Sequence, residues 1–199
     1  MLTLHVAEHS PEAAVLVDGA RVAAVGPHEE LAAAHPAARV RRWPGILTPG
    51  LLNPYAPELL EVTYHPDPRE ADRLGTEPIG GERARALFRA DPSLLGASAR
   101  RGVQRMLAHG TVAVAGDLRA RPALDALRRS GLAVGHRPPN LPGPPSLSPT
   151  PLILLPPLTP GAPARFAVFD VRDRGELVRR GAHTCVATVL AGKLVYRAR

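Results

Sequence analysis

At 199 residues and 45% hydrophobic, the chain has material for one domain, or for one domain with a small satellite, and at 4% aromatics its core must be built from Leu, Val and Ala. The formal charge is +7, and Lys193 is the only lysine, so 24 of the 25 basic residues are arginine. Charge dispersed along a sequence reads as a solvated surface and argues against a nucleic-acid partner, because a nucleic-acid footprint needs its cations clustered on one face.

Leu2, Leu4 and Val6 alternate with Thr3 and His5, the period of a strand. Ala14–Val17 and Arg21–Gly26 flank Asp18-Gly19, a tight-turn signal, and so predict a hairpin. A short helix fits Glu29–Ala34 and stops at His35-Pro36. Arg39–Trp43 alternates again and reads as an edge strand; Pro44–Asn53 reads as one buried strand bracketed by turns. From Pro54 to Asp91 the pattern is irregular, and five prolines break any long element.

A helix follows at Ser98–His109, with Val103, Met106 and Leu107 on one face, Ser98 as its N-terminal cap and Gly110 at its end. Thr111–Gly116 is a strand, Pro122–Ser130 a helix with Pro at its start and Gly131 after it, and Leu132–Gly135 a further strand. This alternation predicts parallel strands joined by helical crossovers. Eleven prolines fall within residues 138–163, which favours a polyproline or disordered tether, although Leu152–Leu155 is apolar enough to dock. Pro139-Asn140-Leu141-Pro142 has the PxxP form, a pattern that such a tract produces by composition alone. Arg165–Asp170, a helix at Arg174–Arg180, and a closing hairpin of Cys185–Leu190 with Leu194–Arg197 complete the chain.

Three segments in this order resemble the ends of an amidohydrolase of the imidazolonepropionase and aminodeoxyfutalosine deaminase type. They are Val15–Gly19 with Arg21–Gly26; Thr48-Pro49-Gly50-Leu51-Leu52-Asn53; and Ala167–Asp170 with Val186–Val195. In that family both chain ends fold into one composite β domain around a metal-bearing barrel. The resemblance therefore implies an α+β fold. Residues 1–53 and 164–199 would form a composite β-sandwich-like domain, residues 54–137 a truncated, partial α/β layer left from a TIM barrel, and residues 138–163 a Pro-rich linker.

The family carries His-x-His on the strand after the Pro-Gly-Leu element, and the matching residues here are Tyr55 and Pro57. A pyrrolidine ring has no donor atom, and a neutral phenol is a poor ligand for zinc. The stretch between the two β segments is also too short for the roughly 250 residues of a full barrel. No catalytic residue, no metal ligand and no cofactor is therefore expected, although the family uses a divalent metal such as zinc or iron.

A substitute site could draw only on His65, Asp67 and Glu61, which read better as solvated loop residues. Arg100, Arg101 and Arg105 share one helix and Arg128 and Arg129 end the next; cations near a helix C-terminus account for the latter pair. Cys185 reads as a core residue and, as the only cysteine, excludes an intrachain disulfide framework. With no basic leader and no run near about 20 apolar residues, the expected protein is soluble and cytoplasmic. Its expected role is that of a non-catalytic assembly protein, pairing with itself or with a full-length amidohydrolase. A hydrolase of non-peptide carbon–nitrogen bonds that borrows metal ligands, and an arginine-rich nucleic-acid binder, are the alternatives.

Overall fold

The computed structural model describes residues 1–141 and 143–198. It is an α+β protein built on three four-stranded sheets. The first sheet is wholly N-terminal: β1 (Leu2–Ala7), β2 (Ala14–Asp18), β3 (Arg21–Gly26) and β4 (Arg39–Trp43), in the order β3-β2-β1-β4. Asp18 pairs with Arg21 across the turn, where Gly19 holds φ at +55°, as the Asp-Gly signal requires. Helix α1 (His28–Ala34) carries the chain back so that β4 runs parallel to β1 on the open edge.

The second sheet draws on both ends of the chain. Its order is β12 (Lys193–Arg197), β11 (Cys185–Leu190), β10 (Phe166–Phe169) and β5 (Ile46–Thr48), all antiparallel. The short helix α7 (Arg174–Arg180), capped by Asp173, precedes β11. The first two sheets share their cores. Val15, Val17 and Val22 pack with Phe166 and Val189, and Ala7 and Trp43 pack with Val168 and Ala187. The hairpin tips also abut: a Cβ on Gly192 would sit 1.9 Å from the Gly19 carbonyl oxygen.

The single strand expected over Pro44–Asn53 divides in two. Between β5 and β6 (Leu51–Asn53), Gly50 takes φ +85° and lies against Val112, where a Cβ would meet the side chain at 2.5 Å. That turn passes the chain into the third sheet, whose order is β8 (Ala133–Gly135), β7 (Thr111–Ala115), β6 and β9 (Ile153–Leu154). Strands β6, β7 and β8 run parallel, as the helix-strand alternation predicts. Their crossovers are α5 (Leu94–Ala108) and α6 (Arg121–Ser130), whose buried faces meet Val112 and Val114 in the largest core cluster.

Three expectations need correction. The region from Pro54 to Asp91 is not irregular but holds α2 (Ala56–Leu60), α3 (Ala71–Leu74) and α4 (Gly81–Ala90). Pro57 lies in the first turn of α2, where a missing N–H costs nothing. Ser98 is not a cap, because α5 begins at Leu94; its hydroxyl is buried between the Thr63 carbonyl and the His65 N–H.

The proline-rich segment is not an extended tether either. Its residues Ile153–Leu154 form β9, antiparallel to β6, and the half-buried Leu152 and Leu154 pack against a core cluster. An apolar run gains more from burial against an open sheet edge than its flanking prolines lose in ladder bonds. The PxxP motif ends on Pro142, which lies outside the described residues. No helix among the described residues is long and apolar enough to cross a membrane.

Candidate functional site

In a parallel α/β sheet, functional side chains gather beyond the C-terminal ends of the strands. Here those ends are Asn53, Gly116 and the residues after Gly135. Asn53 is buried; its Oδ1 accepts from the Tyr55 N–H at 3.0 Å, which turns the chain out of β6. Its amide nitrogen donates to the Ser146 carbonyl at 2.9 Å. Tyr55 is 1% exposed, and its hydroxyl donates to the Gly143 carbonyl. Residues 143–146 of the proline-rich segment are thereby held to Asn53 and Tyr55, at the point where β6 ends.

Tyr55 and Pro57 do not share one side of a strand. The strand ends at Asn53, Tyr55 is the residue before α2, and Pro57 lies in its first turn. Pro57 packs on Gly116, whose φ is +110° and where a Cβ would lie 2.5 Å from the ring. Beside them Glu58 pairs with Arg137 at 2.5 Å, and the Arg137 guanidinium stands 6.0 Å from the Tyr55 ring centre. The second Glu58 carboxylate oxygen is buried and has no hydrogen-bond partner among the described residues. Glu58 and Arg137 lie 79 residues apart, so no local spacing in the sequence pointed to their meeting.

His65, Asp67 and Glu61 have separate structural duties. His65 is fully buried, with Nε2 bonded to the Leu59 carbonyl at 2.7 Å and its ring filling the space left by Gly102. Burial pushes its pKa down to about 4, so it is a neutral core imidazole at pH 7. Asp67 caps the 3-10 turn at Pro68–Glu70 and pairs with Arg101 at 3.3 Å. Glu61 accepts the backbone N–H groups of Arg119 and Ala120, each at 2.6 Å, and so ties α2 to the loop before α6. Among the described residues no three or more His, Cys, Asp or Glu side chains come together in a metal-holding group.

The remaining candidates are also occupied. Arg101 donates to the His65 carbonyl at 2.7 Å and Arg105 to the Thr76 carbonyl, so two of the three α5 arginines serve internal contacts. Cys185 is buried, and desolvation raises its thiol pKa to about 11, which leaves no thiolate at neutral pH.

Residues 13–38 match the family described as imidazolonepropionase-like composite domain, bacteria. They cover the hairpin β2–β3 and α1. No curated protein matches the chain. Among solved structures, guanine deaminase from Bradyrhizobium japonicum is similar at 20% identity and TM-score 0.39, over 62% of this chain and 27% of the enzyme. A. niger ochratoxinase is similar at 16% identity and TM-score 0.42, over 68% and 30%. N-isopropylammelide isopropylaminohydrolase from Burkholderia multivorans ATCC 17616 is similar at 18% identity and TM-score 0.43, over 68% and 37%. The chain thus spans about a third of the length of these proteins. The match to the composite-domain family is confined to the N-terminal segment, residues 13–38.

Proposed function

We propose that the chain is a non-catalytic, cytoplasmic member of the amidohydrolase group that works by assembly, with a second copy of itself or with a full-length amidohydrolase. In this reading the first two sheets are the sandwich-like composite domain, and the three parallel strands are a partial barrel layer. The observation that carries it is the state of the β6 terminus. Tyr55 and Pro57 offer no imidazole there, and Asn53 and Tyr55 are bonded instead to residues 143–146 of the same chain.

The assembly part rests on the opposite edge of that sheet. Strand β9 covers the β6 edge, but β8 ends the sheet with Val134 68% exposed, beside a groove lined by Leu118, Leu124, Leu127 and Leu132. An uncovered strand edge next to apolar side chains favours strand-to-strand association.

Light scattering after size exclusion at low micromolar concentration tests this reading. A dimer that Val134→Asp returns to monomer supports it; a wild-type monomer, alone and with a full-length amidohydrolase, overturns the assembly role. Stoichiometric zinc, iron or manganese that supports hydrolysis of a carbon–nitrogen bond overturns the non-catalytic part. The alternative of an active hydrolase draws on one observation, the unpartnered oxygen of Glu58 beside Arg137.

A further inference from the structure

We infer that the mouth between the open edges of the first two sheets is a binding site for a small multivalent anion of the phosphate or pyrophosphate class. Arg39, Arg41 and Arg42 of β4 and Arg197 of β12 line one groove of about 240 Å³, floored by Trp43 and Leu194. The two strands bring them together from opposite ends of the sequence, β4 as the edge of the N-terminal sheet and β12 as the edge of the other. Arg197 lies 5.8 Å from the centre of the Trp43 ring, and that packing restrains a side chain that would otherwise roam in solvent.

Four guanidinium groups at one mouth repel each other and cannot relieve that repulsion by losing protons. Among the described residues none of the four takes part in a salt bridge, and no carboxylate lines the groove. The other arginine-lined grooves differ on this point. The one between α5 and α6 that holds Arg100, Arg101 and Arg129 includes Asp67, and its neighbour with Arg121 includes Asp125. The positive field also reaches the interior: after burial itself, Arg41 is the second influence that lowers the pKa of His5.

The size of the groove selects the ligand. It falls below the roughly 300–1,000 Å³ of sites that enclose a drug-sized molecule. A compact anion that accepts several forked N–H bonds matches it better than a nucleoside or a cofactor. Trp43 is only 6% exposed, so it supports the arginines and offers no face for a base to stack on.

Calorimetric titration of the full chain with inorganic pyrophosphate, and separately with orthophosphate, tests the site. The expected result is one saturable site per chain that weakens with added salt. Arg39→Gln with Arg41→Gln should weaken it by about tenfold or more, and Arg197→Gln alone by less. Arg100→Gln with Arg129→Gln removes the same charge from the α5–α6 groove and should leave binding unchanged. Far-ultraviolet circular dichroism and thermal melts confirm that each variant is folded. Absence of saturable binding by the wild type, or equal weakening by the α5–α6 pair, overturns the inference.

Discussion

His5 and His65 tie the stability of this protein to pH. Both are buried, and burial lowers both to a pKa of about 4, against about 6.5 for an exposed imidazole. As the pH falls, the unfolded chain takes up these protons first. Stability is therefore complete above about pH 6.5, declines from there to about pH 4, and levels off below it. Each imidazole contributes about 2 kcal/mol of loss between pH 7 and pH 5. Urea denaturation at the two pH values checks this, and equal midpoints would contradict it. Tyr55 sets a second expectation. Removing its hydroxyl in Tyr55→Phe leaves the Gly143 carbonyl without its partner, for about 1 kcal/mol. Limited proteolysis should then cut more readily near residues 143–148 than in the wild type. Neither effect was legible in the chain as written. His65 stands in a run of loop-forming residues, and only the approach of Gly102 shows that it is part of the core.

The two hairpins and the crossover helices followed their local signals closely. Gly19 takes the positive φ that Asp-Gly announces, α6 begins with Pro122 in its first turn, and Gly131 ends it at φ +78°. Helix α4 had a usable signal in Ala84, Leu87 and Phe88 at helical spacing, which pack toward Tyr64 and Ile79. Two glycines at its start and the surrounding prolines masked it. The turn between β11 and β12 supports a sharper test. Gly192 holds φ +73° and has the Gly19 carbonyl where a Cβ would go, so Gly192→Ala both strains the turn and pries the two hairpin tips apart. A loss of about 2–4 kcal/mol is expected. Its neighbour Ala191 already sits at φ +47°, so Ala191→Gly should gain up to about 1 kcal/mol. Thermal melts of the two variants should shift in opposite directions.

Across the whole molecule, both ends of the chain make one structure. Strand β5 of the N-terminal half pairs with β10, and the cores of the first two sheets interlock through Val15, Val17, Phe166 and Val189. Deleting residues 164–199 should therefore expose Trp43 and the valines of β2, and the remaining fragment should aggregate or bind a hydrophobic dye. A fragment that stays monomeric and melts cooperatively would contradict this. The alternation of apolar residues, the turn dipeptides and the helix boundaries are short-range properties. They were legible because steric and solvent preferences act within a few residues. The division of Pro44–Asn53 between two sheets, the addition of β9 from a proline-rich stretch, the meeting of Glu58 with Arg137 and the gathering of four arginines around Trp43 depend on contacts between distant parts of the chain. Such contacts leave no period or spacing behind, because their free energy comes from the area and charge that packing brings together, and that exists only once the sheets have met.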